Sequence, residues 1–191
     1  MIEEILSVDT TLLLYVQEHF RFEALTSIMR VITFLGDGGL LWILTALALL
    51  LIPRTRRGGL DVALGTLLPW LLVEYVLKEL THRPRPFTAL TEVVPLIALP
   101  SGYSFPSGHA CAAFAAATAL TLAFPDKSGN RAFIPAVLIS LSRVYLGVHY
   151  PLDILAGAAF GMLGAWIVYA ASHRYLHGDL LTQRERRQLS K

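Results

Sequence analysis

Charged residues are scarce in this chain of 191 residues. Asp, Glu, Lys and Arg make up 16% of the sequence, against about 25% in a typical globular domain. Hydrophobic residues make up 54%, and the mean hydropathy is +0.56. A soluble protein of this size could not cover its surface with so few charges, and a disordered chain would be far more polar. The composition therefore predicts an integral membrane protein.

Cysteine and metal ligands are also scarce. The single cysteine, Cys111, excludes a disulfide framework and a cysteine-based metal cluster within one chain. The sequence has no cluster of carboxylates suited to Mg²⁺, and it has too few Cys and His residues to indicate a Zn²⁺ site. We therefore expect no metal and no other cofactor. The net charge of +2 is too small to indicate nucleic-acid binding. No basic stretch precedes a short apolar core, which predicts no cleavable signal peptide.

Five apolar runs predict an all-α fold, a polytopic membrane bundle of about five transmembrane helices. The runs cover residues 32–52, 60–77, 110–124, 132–148 and 152–171. The fifth run contains Gly157, Gly161 and Gly164, and small residues at such near-helical spacing let helices approach closely in lipid.

Residues 1–31 differ from the rest because acidic and apolar side chains alternate there. This mixture predicts one or two amphipathic helices lying at the membrane interface. We therefore expect a single domain over residues 1–191. It consists of an amphipathic segment at 1–31, a transmembrane core at 32–172 and a basic cytoplasmic tail at 173–191.

The basic residues are unevenly distributed between the predicted loops. Ten of the sixteen lie in the first connector, the third connector and the tail, which share one side of a five-span bundle. The positive-inside rule predicts that this side is cytoplasmic, and that the loops after the second and fourth spans face outward across the plasma membrane. The ten are Arg54, Arg56, Arg57, Lys127, Arg131, Arg174, Arg184, Arg186, Arg187 and Lys191.

Polar residues gather at the outward ends of the spans in three segments, beginning at Lys78, Pro106 and Ser142. Charged groups at such positions are costly unless they are paired or hydrated, so their concentration indicates a functional site.

Five residues of these segments are suited to binding an anion. Lys78, Arg85 and Arg143 supply three cations, and the planar arginine groups match phosphate oxygens. Ser107 and Gly108 open a helix, where backbone N–H groups and the positive end of the helix dipole favour an anion.

Three further residues are suited to catalysis. His109 and His149 can serve as nucleophile and proton donor, and Asp153 can hold one imidazole in a useful tautomer. Together with the anion-binding residues, they indicate metal-free phosphoryl transfer through a histidine.

The spacing of the three segments resembles the signature of the type 2 phosphatidic acid phosphatases. Six residues separate Lys78 from Arg85-Pro86, Pro106-Ser107-Gly108-His109 follows, and five residues separate Ser142-Arg143 from His149, with Asp153 after three more. The resemblance extends in order from Lys78 to Asp153. Many bacterial members of the family have six spans, one more than we predict here.

The resemblance implies a role for each matching residue. His149 would be the nucleophile that forms a phosphohistidine, oriented by Asp153. His109 would protonate the leaving oxygen and later activate water. The phosphate would be held by Lys78, Arg85, Ser107, Gly108 and Arg143, at the extracytoplasmic end of a helical bundle.

The expected substrate is a lipid phosphate in the bilayer. We favour undecaprenyl diphosphate, with phosphatidylglycerol phosphate or phosphatidic acid as the alternative. A lipid phosphotransferase would use the same residues, and a non-enzymatic lipid-phosphate binder or transporter would be expected to have an incomplete motif. Vanadate-dependent haloperoxidases share the residues in soluble folds, which the apolar spans argue against. The sequence makes no prediction of oligomeric state.

Three neighbouring residues have alternative interpretations. Glu74 precedes Lys78 by four residues, so we expect a helical ion pair that holds the lysine. Arg83 has no place in the motif and is expected to support its loop, with phosphate contact as the alternative. His82 lies beside the site, and direct substrate contact is the less favoured interpretation.

Overall fold

The helices of the computed structural model follow the apolar runs of the sequence. The structure describes residues 2–125 and 128–189, with side chains for 3–125 and 128–174, and within these ranges it contains helices and no strands. Lys127, Arg184, Arg186, Arg187 and Lys191, which the topology prediction uses, lie outside the described side chains. The main helices are α1 (Ile2–Phe20), α2 (Glu23–Gly36), α3 (Leu40–Leu51), α4 (Arg56–Leu72), α5 (Lys78–Thr81), α6 (Pro86–Ala89), α7 (Gly108–Ala123), α8 (Phe133–Tyr145) and α9 (Pro151–Leu189).

Three helical stretches are long and apolar enough to cross a membrane. They are Glu23–Leu51, Arg56–Ala89 and Pro151–Arg174, while the apolar helix α7 is shorter. Large apolar side chains cover their outer surfaces, including Leu47, Leu155 and Trp166, each at least half exposed. Because lipid rather than water suits such a surface, the prediction of an all-helical membrane protein is confirmed. The number of five spans stays a prediction.

Helix α7 lies at the centre of the bundle and packs against α4, α8 and α9. Seven of its eight alanines are almost completely buried, and they lie on all sides of the helix. Close packing against α9 depends on two glycines of that helix. A Cβ atom at Gly157 would collide with the carbonyl oxygen of Ser107, and one at Gly161 with that of Cys111. Small residues on both helices therefore bring the starts of α7 and α9 together.

The N-terminal region differs from its predicted boundary at residues 31 and 32, which falls inside α2. The first long apolar stretch begins at Glu23, where α2 begins, and α2 exposes the apolar side chains of Ile28, Val31 and Phe34. Helix α1 exposes apolar residues and buries Asp9, which is 2% exposed. The same helix also buries Leu13 completely, so its inner face combines an apolar contact with a buried carboxylate.

Candidate active site

Six of the eight predicted site residues line one polar cavity of about 270 Å³. The cavity lies where the break between α2 and α3, the end of α4 and the starts of α5 and α7 meet the end of α8. Its lining contains three cations, two imidazoles and one carboxylate, that of Glu74. The six predicted residues are Lys78, Arg85, Gly108, His109, Arg143 and His149.

Lys78 reaches the cavity from a helix with an altered turn. Between α4 and α5 the helix widens into a π-helical turn, Val73–Leu77, a feature often found at functional sites. The Lys78 Nζ donates to Glu74 Oε1 at 2.8 Å, and Lys78 is 5% exposed. The predicted ion pair is therefore confirmed, and it holds the ammonium group at the cavity wall.

Arg85 is held by the loop that precedes α7. Its Nε donates to the Gly102 carbonyl at 3.0 Å and its Nη2 to the Ser101 carbonyl at 2.9 Å. Its Nη1 donates to the Val148 carbonyl at 3.1 Å and lies 3.3 Å from His149 Nε2. These backbone acceptors fix the guanidinium beside the imidazole without neutralising its charge.

Arg143 enters the cavity from the end of α8 and is 3% exposed. Its Nη1 donates to Thr33 Oγ1 at 2.6 Å and lies 3.8 Å from Asp37 Oδ1. Its Nε is buried, and no described residue accepts a hydrogen bond from it. A buried N–H group without an acceptor is costly, so an anion in the cavity would supply what this donor lacks.

His149 is almost completely buried, with Asp153 next to one ring nitrogen and Arg85 next to the other. Its Nδ1 lies 3.3 Å from Asp153 Oδ2, and the Ser104 hydroxyl donates to the same carboxylate oxygen. Burial lowers the pKa of His149 to about 3; the hydrogen bond to Asp153 opposes this shift, and the charges of Arg85 and Arg143 add to it. The imidazole is therefore neutral at pH 7, as a nucleophile requires.

His109 follows Gly108 at the start of α7 and contacts a residue that the motif does not contain. Its Nε2 lies 2.9 Å from Oδ1 of Asp37, at the break between α2 and α3. Asp37 is the one charged residue in the first apolar run of the sequence, residues 32–52. That isolated charge was the available signal, because an ionisable residue inside a span indicates a functional site.

The other two predicted residues, Ser107 and Asp153, lie behind the cavity wall and are completely buried. The Ser107 hydroxyl accepts from the Ala110 N–H at 3.4 Å and caps α7, while its backbone N–H donates to the Asp153 carbonyl at 2.9 Å. In this arrangement Ser107 joins the starts of α7 and α9 and does not face the cavity.

Arg83 connects two buried carboxylates rather than lining the cavity. It donates from Nη1 to Asp153 Oδ1 at 2.7 Å and from Nη2 to Asp9 Oδ2 at 2.6 Å. Its guanidinium also lies 4.0 Å from the ring centroid of Tyr150. His82 packs edge-on against Tyr103 and is likewise absent from the cavity wall. The role of Asp9 is not predicted from the sequence, because Arg83, its partner, is 74 residues away.

A second cavity, of about 330 Å³, adjoins the first between α3 and α4. Its walls are almost entirely apolar and include Trp42, Leu50 and Leu67. The two cavities share four wall residues, which are Gly38, Gly39, Trp70 and Ala112. A cavity rich in cations thus adjoins a space suited to a hydrocarbon chain.

Fold and site together define a helical membrane protein with a polar cavity lined by two histidines and three cations. The PAP2 superfamily model matches residues 58–176, more than half of the chain, and the chain belongs to that superfamily.

Individual relatives agree with this assignment. The chain is 38% identical over 128 residues to the undecaprenyl-diphosphatase of Sulfolobus acidocaldarius, covering 67% of this chain but only 60% of that protein. It superposes with a TM-score of 0.71 on the transmembrane PAP2-type phosphatidylglycerolphosphate phosphatase of Bacillus subtilis, at 31% identity over 90% of this chain and 87% of that one. For LpxE of Aquifex aeolicus the TM-score is also 0.71, at 29% identity over 84% and 93%.

Proposed function

We propose that this protein is a membrane lipid phosphatase that cleaves a phosphate from a lipid headgroup through a phosphohistidine on His149. The observation that carries the proposal is the junction of the two cavities. The polar cavity contains three cations and two imidazoles, and the adjoining cavity is apolar. A lipid phosphate has the same division into an anionic headgroup and a hydrocarbon chain, whereas a soluble phosphate ester would occupy only the polar part.

The phosphate would be held by charge from three directions. Lys78 lines the cavity from α5, Arg85 from the loop before α6 and Arg143 from α8. The unpartnered Nε of Arg143 offers a donor. The first turn of α7, beginning at Gly108, adds backbone N–H groups and the positive end of its dipole. Such fixed donors stabilise the charge that accumulates on the transferred phosphoryl group.

The first chemical step forms a bond between His149 Nε2 and phosphorus, while the bond from phosphorus to the leaving oxygen breaks. Asp153 accepts the Nδ1–H, which leaves the lone pair on Nε2, and Arg85 Nη1 moves from this nitrogen to a phosphate oxygen. His109 donates a proton to the leaving oxygen. In the second step His109 takes a proton from water as the water attacks phosphorus and releases His149.

The favoured substrate is undecaprenyl diphosphate, with phosphatidylglycerol phosphate or phosphatidic acid as the alternative. Support for the first comes from the name of the Sulfolobus relative, an undecaprenyl-diphosphatase, and support for the second from the Bacillus structure, a phosphatidylglycerolphosphate phosphatase.

The active site faces the extracytoplasmic side of the plasma membrane in this proposal. The arginines at 54, 56 and 57 follow the end of α3, whereas the glycines that precede α3 line the cavity. The basic connector therefore lies at the opposite end of the bundle from the site, and basic connectors favour the cytoplasm.

The test uses purified protein in detergent with EDTA and a panel of lipid phosphates. We expect phosphate release to persist in EDTA and to fall by at least about 1,000-fold in His149→Ala, because the nucleophile is lost. His173→Ala is the matched control, since His173 stacks on Tyr169 away from the cavity. Activity that persists undiminished in His149→Ala would falsify the assignment of the nucleophile.

A further inference from the structure

The first long apolar stretch is interrupted next to the polar cavity. Helix α2 ends at Gly36, and a 3₁₀ turn, Asp37–Gly39, leads into α3. Gly38 and Gly39 have φ angles of +58° and +74°, in the left-handed region that favours glycine. The local sequence is therefore suited to a bend inside a membrane helix, and the bend carries a carboxylate.

The bend places the carboxylate of Asp37 next to His109, the proposed proton donor. Asp37 Oδ1 lies 2.9 Å from His109 Nε2. The approach depends on Gly36, where an added Cβ would lie 2.9 Å from His109 Cδ2 and 2.6 Å from Ile139 Cγ2. Any larger residue at this position would push the imidazole away, so the backbone as well as the side chain is shaped around His109.

Other charged residues lie near the pair formed by Asp37 and His109. Arg143 Nη1, from α8, lies 3.8 Å from Asp37 Oδ1, and Lys78 and Glu74 line the same cavity from the helix formed by α4 and α5. The Glu74 carboxylate is engaged with Lys78. Asp37 is thus the only carboxylate among the described residues within hydrogen-bond distance of the His109 ring.

We propose that Asp37 is a positioning residue for His109, so that each of the two histidines has its own carboxylate. This inference rests on the proposed phosphatase function. The pairing of His149 with Asp153, at 3.3 Å, is mirrored by that of His109 with Asp37. Asp37 accepts the Nε2–H, fixes the ring, and stabilises the imidazolium that His109 forms.

The proton balance of the step follows from this contact. The His109 imidazolium has two N–H groups; Asp37 accepts the one on Nε2, and the one on Nδ1 is left for the leaving oxygen. As His149 attacks phosphorus, the bond to the leaving oxygen breaks and that oxygen takes the Nδ1 proton. When water attacks the phosphohistidine, its proton returns to Nδ1, and Asp37 stays ionised throughout.

The test compares two phosphate esters that differ in their need for a proton. The alkoxide that leaves dodecyl phosphate must be protonated, whereas the phenolate that leaves 4-nitrophenyl phosphate is stable without a proton. We expect Asp37→Asn and Asp37→Ala to lower kcat/KM for dodecyl phosphate by about 10- to 100-fold, as loss of part of a general-acid contribution predicts. For 4-nitrophenyl phosphate the loss is expected to be at most about threefold, since protonation by a general acid contributes little to the departure of 4-nitrophenolate. kcat/KM is the appropriate measure because it reports the step in which the leaving group departs.

Three further variants separate this proposal from the proposed function. His109→Ala should give the same selective loss, and His149→Ala should lose both substrates equally. Glu79→Gln is the matched control, because Glu79 is an exposed carboxylate on α5 away from the cavity. An equal loss on both esters in the Asp37 variants, or no loss on either, overturns the role of Asp37 while the function of His149 stands.

A measurement without substrate makes the test independent of activity. NMR of the protein with ¹⁵N-labelled histidine should find neutral His109 as the Nε2–H tautomer in the wild type and a mixture of tautomers in Asp37→Ala. Identical His109 nitrogen shifts in the two proteins would overturn the proposal even if neither ester is hydrolysed. Failure of the wild type to release phosphate from any ester would instead count against the proposed function alone.

Discussion

Arg83 shows how a single residue outside the motif supports the site. Its guanidinium donates to Asp153, which orients the proposed nucleophile, and to Asp9 on α1, whose other oxygen accepts the Leu152 N–H at 2.8 Å. Both carboxylates are at most 1% exposed. Arg83 therefore balances two buried charges and couples the N-terminal helix to the start of α9.

Replacing Arg83 with glutamine should destabilise the protein strongly. Breaking a buried ion pair leaves an uncompensated charge, which typically costs about 3–5 kcal/mol, and here two carboxylates lose the same partner. We expect a clear fall in the melting temperature in detergent together with reduced phosphate release. Arg54→Gln is the control, because Arg54 is an exposed arginine. A melting temperature equal to that of the control would contradict this account of Arg83.

At the scale of helices, the site depends on the close contact between α7 and α9. Helix α7 begins at Gly108 and supplies His109, and α9 begins at Pro151 and supplies Asp153. The Ser107 N–H donates to the Asp153 carbonyl at 2.9 Å and joins the two starts. A change in the spacing of these helices therefore changes the spacing of the proposed catalytic groups.

We expect Gly161→Ala to separate α7 and α9. The added Cβ would meet the carbonyl oxygen of Cys111, and overpacking of this kind costs about 1–3 kcal/mol. The melting temperature and the rate of phosphate release should both fall. Ala159→Val enlarges an exposed position of the same helix and should change neither. If Gly161→Ala resembles this control, the helices tolerate a wider spacing and the packing argument is wrong.

At the scale of the whole molecule, the proposed orientation can be tested by labelling cysteines in intact cells. Cys111 is fully buried, so the native chain should give little background. We expect an impermeant thiol reagent to label Thr91→Cys, in the exposed loop near the site, and to spare Arg54→Cys at the opposite end. The reverse pattern would mean that the active site faces the cytoplasm.

The helical membrane class and the motif segments follow from local sequence. Apolar runs can satisfy backbone hydrogen bonds in lipid only as helices or closed barrels, and the pairing of Glu74 with Lys78 needs only a helical spacing of four residues. The convergence of Lys78, His109 and His149 was predictable for a related reason, since each lies at an end of a predicted span on the same side of the membrane.

The length and boundary of the N-terminal helices were less predictable. The mixture of acidic and apolar residues in the first 31 positions predicts interfacial helices with the acidic side chains in water, yet Asp9 is buried because Arg83, from the loop between α5 and α6, reaches it. A pattern of polar and apolar residues does not indicate whether a carboxylate faces water or a buried arginine.

Composition, periodicity and spacing along the chain are enough to identify a helical membrane protein and to locate the motif segments. The distant residues that support those segments become visible only in the three-dimensional fold. The contact between Asp37 and His109 spans 72 residues, and that between Asp9 and Arg83 spans 74. The apolar cavity beside the site is likewise formed by residues that α3 and α4 bring together. Such contacts depend on how closely helix backbones approach one another, and that distance is set by packing between helices rather than by any one segment.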